Sequence, residues 1–374
     1  MLTLLRKLES HEEDSCVETG NGIDTMFADG VDGRCFATGR AALAALICEL
    51  RLTSADAVLM PAYIAEGVIQ PFRSAGVQIA YYRLTSELRP HVDDIKAILG
   101  GHPNARLMIV WHPFGFEAPM GELTSIARAH GVDILVDCAH AAFSETREGV
   151  PFGEAGEFAL FSWNKFVPVP DGAFLKGASK NGTGDERSDA EIGPAAIANY
   201  LCHLRTNAEL LRCQDPRAAA VLLEKTSQYY DEYYAVIKSD LSPKRPSEVS
   251  SRIGRALSLR ALSSQRRRNA RTLYNAVTNT TLRFVFATCD PGVVPFAVPM
   301  VTAASSRDRL LEHAWASGIH LATLVDRWNF IPPGRERHFS TELDFMQSHV
   351  LVPVNEFLTE GDMGLIADML NRFA

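Results

Sequence analysis

The sequence predicts an α/β protein: a large domain on a mostly parallel sheet, then a small C-terminal α+β domain. Three observations predict it. Apolar runs such as "AVLMP", "ARLMIVW" and "VDILVD" alternate with segments of helical spacing between residues 39 and 137. Strands that are apolar on both faces belong to parallel sheets covered on both sides. From about residue 250 a strand–helix–strand–helix order returns, and 374 residues at 47% hydrophobic content suffice for a large core, a length that points to two domains or one large domain with an appendage. The expected boundaries are 1–250 for the large domain, with a helical insertion at about 177–246, and 251–374 for the small one.

Residues 1–35 have little periodicity and read as an arm or a short helix. Regular structure begins at "TGRAALAALICELRL", where Thr38 can cap a helix with Leu43, Leu46, Ile47 and Leu50 on its apolar face. "AVLMP" is a buried strand ending at Pro61, "EGVIQPFRSAG" is helical in pattern despite Pro71, and "VQIAYYRL" is a second strand. "HVDDIKAILGG" is a short helix, "ARLMIVW" a third strand, and "GELTSIARAHG" a helix closed by glycine before "VDILVD". "EFALFSW" and "GAFLK" are shorter strands extending the same sheet. The insertion opens with the polar loop "SKNGTGDERSDAE" and continues as "AAAVLLEKTSQYYDEYYAVI". One helix, "RALSLRALSSQRRRNARTLYNAV", leads into the second unit. That unit holds "VVPFAVPMV", the helix "SRDRLLEHAWASG", the strand "HVLVPV" and the helix "EGDMGLIADMLNRF".

Composition excludes several functions. A formal charge of −8 and a pI near 5.8 speak against a nucleic-acid or anionic-membrane surface. "MLTLLRKLESHEED" turns acidic at once, without the apolar run of a signal peptide, and no stretch could span a bilayer. The expectation is a soluble, cytoplasmic protein. Seven cysteines are scattered without a CxxC pair, so neither a metal site nor a disulfide framework is expected.

In parallel α/β sheets ligands collect beyond the carboxyl ends of strands. Neither GxGxxG nor a Walker loop is present, and "NGTGD" reads as surface loop. Three other strand-end features stand out. "VDILVD" ends in Asp137, with His140 following; a carboxylate there is costly unless paired or hydrogen-bonded. "TGR" opens a helix whose free N–H groups favour an anion, and Arg40 adds a fixed cation suited to phosphate. "FSWNK" ends a strand with Ser162 and Lys165 before two prolines and an Asp-Gly turn. Each has a plainer explanation: a capping aspartate, a solvent arginine, a surface lysine. Together they are the parts that a pyridoxal phosphate (PLP) enzyme needs. These are a lysine to hold the cofactor covalently, a carboxylate for its pyridinium nitrogen and a helix start for its phosphate.

At this point the sequence resembles the DegT/DnrJ/EryC1/StrS aminotransferases, fold-type-I PLP enzymes known for aminating nucleotide-linked keto-sugars. "GRAAL", "VLMPAYIAEGVIQPFRSAG", "VWHPFG", "ILVDCAHAAFSETREGVPFGEAGEFALFSWNK" and "VLVPVNEFLTEGDMGLI" follow the family's motifs in order and spacing. "VPVPDGAF" is similar to a subgroup reading LPVPDGGA. The resemblance runs from about Gly39 to the C-terminus, the insertion apart. It implies Lys165 as the covalent anchor and Asp137 as the pyridinium partner. His140 would lie near the ring's phenolic oxygen, with Ser162, Gly39, Arg40 and Ala41 at the phosphate. Arg252 falls near a segment that reaches the neighbouring subunit's site in the family; a substrate contact and a plain surface position are both open. A homodimer is implied as well.

Some positions depart from the family. Its cofactor-stacking aromatic falls on Ala65, with Tyr63 the nearest substitute. Ser162 and Lys165 are two residues closer than is common, and Ala173, Ser250 and Asn355 replace a glycine, an asparagine and a histidine. Lys165 argues against the dehydratase branch, which has histidine there. The expected activity is transfer of an amino group from an amino acid, glutamate first, to a keto acceptor such as a nucleotide-linked keto-sugar. Another PLP reaction on the same fold (decarboxylation, elimination or condensation) and a non-catalytic PLP-binding regulator remain as alternatives.

Overall fold

The computed structural model describes residues 32–177, 188–210, 213, 215–325, 328 and 331–373. The expected N-terminal arm at 1–31 and most of the polar loop, 178–187, lie outside the described residues.

The main sheet comprises β1 (Gly33–Phe36), β2 (Ala57–Pro61), β3 (Gln78–Tyr82), β4 (Ala105–Trp111), β5 (Asp133–Asp137), β6 (Phe158–Ser162) and β7 (Ala173–Lys176). Their order is β1-β7-β6-β5-β4-β2-β3. From β3 to β6 the pairing is parallel; β7 is antiparallel to both β6 and β1. Two reversals restore direction, so the carboxyl ends of β1, β5 and β6 lie at one end of the sheet.

The apolar strands behave as their sequence requires. Val58, Met60, Leu107, Ile109 and Leu135 pack into one core, and Leu59, Met108, Val110, Ile134 and Val136 into another. Alternate residues thus serve opposite faces of the sheet. Helices α1 (Gly39–Glu49), α2 (Glu66–Ser74), α3 (Val92–Gly101) and α4 (Met120–His130) follow β1 to β4 in turn. Thr38 caps α1 by accepting from the Ala41 N–H at 3.1 Å, and α4 closes on Gly131 at φ 67°.

Beyond β7, α5 (Pro194–Leu210) and α6 (Pro216–Ser239) pack together, with Tyr200 and Tyr233 in a small core that also takes Ala37. Then come α7 (Glu248–Arg255), α8 (Leu259–Ala276), β8 (Arg283–Phe284), β9 (Val298–Val301), α9 (Ala304–Ala316), α10 (Ser340–Ser348), β10 (His349–Val352) and α11 (Glu360–Arg372). The strands β10, β9 and β8 form a second, antiparallel sheet. Met300, Val350 and Val352 meet Leu273, Leu310, Ile366 and Leu370 in its core.

The structure differs from the sequence expectations in three places. Residues 33–35, expected within an arm or a short helix, belong to β1; a four-residue strand shows too little alternation to be recognised without its partner β7. The single helix expected after residue 250 is two, because Ser258 starts α8 afresh by accepting from the Ala261 N–H at 3.3 Å. The helix α10 was not anticipated, and it packs Phe345 and Met346 into the core of the main sheet.

The loop after β6 is locked from two sides. The Trp163 N–H donates to the Gly172 carbonyl at 3.0 Å, and the Gly172 N–H to that of Ala37 at 2.7 Å. Gly172 has φ 121°, a value that side chains disfavour. Ala173, by contrast, sits in the ladder between Phe36 and Ser162, where a Cβ is at home. Asp171 is buried and accepts from Ser247 Oγ at 2.8 Å, from the Ser247 N–H at 2.9 Å and from Ser250 Oγ. The serine that departs from the family pattern thus clamps the turn to the start of α7. Asp171→Ala strands these donors. Denaturant titration should show a loss of about 2–4 kcal/mol; wild-type stability would mean that the clamp is idle.

Candidate active site

Three chain segments converge at the carboxyl end of the main sheet. Asp137 is the last residue of β5, paired in register with Leu160 of β6. Beyond β6, a 3-10 turn over Trp163–Lys165 carries the lysine. The third is the N-terminus of α1, with Arg40 in its first turn.

Asp137 is 4% exposed and accepts from the Ala139 N–H at 2.9 Å. Burial raises its pKa, while Lys165 and that N–H pull it back down. Burial also lowers the pKa of Lys165; Asp137 counters this and Arg40 reinforces it. The result is an amine that gives up its proton more readily than a surface lysine. His140, 2% exposed, is held well below its usual pKa by burial and then by Lys165, so its ring is neutral. It stacks on Phe296 at 4.4 Å and 6°, and its buried Nδ1 has no hydrogen-bond partner among the described residues.

Arg40 does not point into solvent. Its Nε donates to Gln70 Oε1 at 2.8 Å and its Nη2 to the Tyr234 hydroxyl at 2.6 Å, with the guanidinium over the Tyr234 ring. The neighbouring Tyr233 hydroxyl donates to the Pro170 carbonyl at 2.6 Å, and Asn164 reaches Tyr233 at 3.4 Å. The helical insertion therefore roofs both the α1 N-terminus and the lysine loop. Beside that N-terminus lies a cavity lined by Thr38, Ala41, Gly193, Ile237 and Lys244. Gly39 and Ala41 flank Arg40 in the first turn, where helical N–H groups lack helical acceptors.

The structure thus brings Lys165, Asp137, His140 and Arg40 together. Ser162 ends β6 beside them, its hydroxyl donating to Asn164 Oδ1 at 3.0 Å. Tyr63 is fully buried; its ring lies 4.9 Å from Trp328 and 5.1 Å from Phe345, and its hydroxyl donates to the Leu324 carbonyl. Arg252 is not brought in within the chain: its side chain is 77% exposed and pairs with Glu248 one helical turn away. Sequence reasoning missed Gln70, Tyr233, Tyr234 and Phe296. The one available signal was "QYYDEYY", whose tyrosines 230, 233 and 234 recur at helical spacing.

Residues 34–169 match the model of the DegT/DnrJ/EryC1/StrS aminotransferase family. Over those residues the chain is similar to that family. The fold agrees along nearly the whole chain. The aminotransferase TlmJ from Streptoalloteichus hindustanus is similar at 16% identity and TM-score 0.68, with 93% of this chain and 88% of that one covered. AtS13 from Actinomadura melliaura shares 19% identity at TM-score 0.65, with 93% and 89% covered. Spr1654 from Streptococcus pneumoniae, assigned as a sugar aminotransferase and known in a PLP form, shares 12% at TM-score 0.67, with 98% and 94% covered. The comparison with curated proteins finds no match. The matched family is one of aminotransferases, and Spr1654, similar in fold, is known with PLP.

The electrostatics have signs that can be read out. Competitive acetic anhydride labelling over a pH series, scored on the Lys165 peptide, should give a midpoint below that of an ordinary lysine. Asp137 favours the ammonium form, so Asp137→Asn should move the midpoint further down; Arg40 opposes it, so Arg40→Met should move it up. Shifts of the opposite sign would remove the coupling inferred here.

Proposed function

We propose that this chain is a PLP-dependent aminotransferase of the DegT/DnrJ/EryC1/StrS kind, moving an amino group from an amino acid, glutamate, to a keto acceptor, a nucleotide-linked keto-sugar. The observation that carries it is a half-buried, readily deprotonated amine set against a buried carboxylate at adjacent strand ends. The residues present fit PLP. Lys165 offers the amine, Asp137 a carboxylate for the ring nitrogen, and His140 Nδ1, without a partner among the described residues, a polar contact for the ring's edge. Arg40 and the α1 start offer the charge and N–H groups that a phosphate needs. Ser162 lies beside them with a hydroxyl.

When bound, the cofactor supplies an electron sink for the bond broken at the amino acid's Cα. The chain supplies the rest. Asp137 would pair with the ring nitrogen, Arg40 and the α1 start would hold the phosphate, and Lys165 would serve as the base that takes and returns the substrate's Cα proton. Lys165 suits both duties because burial has already lowered the cost of its neutral form. A sugar acceptor is supported by the assignment of Spr1654.

We further infer two domains, 1–250 and 251–374, supported by the separate core around the second sheet. A cytoplasmic homodimer is supported by cysteines scattered without a CxxC pair and by the exposed position of Arg252. The negative charge supports small-molecule partners over nucleic acid, and no described helix is long and apolar enough to cross a membrane.

Reconstitution with PLP should produce a visible absorption band, absent in Lys165→Ala. Adding L-glutamate should convert the bound cofactor to pyridoxamine phosphate with release of one equivalent of 2-oxoglutarate. A band that forms in the wild type and ignores every amino acid would exclude transamination in favour of another PLP reaction.

A further inference from the structure

Arg266, on α8, has 5% of its side chain exposed and pairs with Glu356 at 2.8 Å. Such a pair loses much of its attraction to desolvation, and an apolar pair of similar size often stabilises as well. Packing alone therefore gives little reason for it. What distinguishes it is where the rest of the guanidinium points. Nη1 donates to the carbonyls of Pro295 and Phe296, both at 3.2 Å. Cζ lies 5.0 Å from the ring centre of Phe166, the residue after Lys165.

Phe296 is the platform on which His140 stacks, at 4.4 Å and 6°. It is held from the other side as well, its N–H donating to the Phe114 carbonyl at 2.8 Å. Next to it Gly115, at φ 100°, lets the chain pass so close that a Cβ would meet Pro295 Cα at 2.9 Å and the His140 carbonyl at 3.1 Å. The Pro295–Phe296 segment thus has little freedom, and Arg266 fixes what remains. One guanidinium grips both the support of His140 and the residue beside Lys165.

We propose that Arg266, fixed by Glu356, is a positioning residue for the cofactor site. It acts through Phe296 on the orientation of the His140 ring and through Phe166 on the lysine loop. The proposal rests on the cofactor placement given under Proposed function.

The test uses the full-length chain freed of cofactor and three variants, Arg266→Met, Arg266→Lys and Phe296→Leu. The last leaves the Arg266–Glu356 pair in place, so it keeps the test decisive if Arg266→Met fails to fold. PLP affinity is read by fluorescence titration, and the pH midpoint of the visible band by absorption; melting temperature is followed in parallel. Arg266→Met and Phe296→Leu should each weaken PLP binding about tenfold or more, as loss of groups that orient direct ligands does elsewhere, and shift the band's pH midpoint. Arg266→Lys, which can keep the bond to Glu356 but not both carbonyls, should fall between. Wild-type affinity and midpoint in both variants, with only the melting temperature lowered, would overturn the proposal and leave Arg266 a structural brace. Absence of any PLP binding by the wild-type chain would instead remove the cofactor placement itself, and this proposal with it.

Discussion

A buried carboxylate beside a half-buried amine at adjacent strand ends is the constraint around which this molecule is arranged. Asp137 terminates β5 and Lys165 follows β6, in a sheet whose interior is otherwise apolar on both faces. Neither charge could be kept there alone at tolerable cost. Each moderates the penalty that burial imposes on the other, and the Ala139 N–H adds to it at Asp137. The order of strands matters for the same reason. Only because β7 reverses direction does β1 deliver the α1 N-terminus to the same end as the charged pair.

Around this pair the chain spends many of its polar contacts on immobility. Gly172 ties the lysine loop to β1, and Asp171 ties it to α7 through two serines. Tyr233 holds it from α6, and Trp163 and Val169 pack with Leu262 of α8. Four separate stretches of sequence thus restrain one short turn. A side chain on such a turn is pre-oriented, so little conformational entropy is left to lose when it reacts.

The parts of this arrangement that were legible in the sequence are those with local signatures. Continuous apolar runs gave β2, β4 and β5, and the question of what ends each strand led to Asp137 and Lys165. Thr38 declared its cap because a cap is a three-residue affair. Long-range partners left no such trace. Phe296 stacks on a histidine more than 150 positions upstream, and Arg266 finds Glu356 at a separation of 90 residues. β1 was missed because its identity lies in β7, and the α7–α8 break because Ser258 sits in a tract whose composition is helical throughout. Tyr63, the aromatic nearest to the family's stacking position, packs with Trp328 and Phe345, partners that lie far along the chain.

The roof over Arg40 has a consequence for how the protein is made. Tyr234 lies 194 residues downstream of the arginine that it holds. The strands carrying Asp137 and Lys165 emerge from the ribosome well before α6 does. Until α6 has been synthesised and has docked, the α1 N-terminus lacks one of the two side chains that fix its cation. Closure over so long a span is slow compared with the local packing of strands and helices. The nascent chain therefore passes through an interval in which the sheet can exist while the α1 N-terminus is not yet fully restrained.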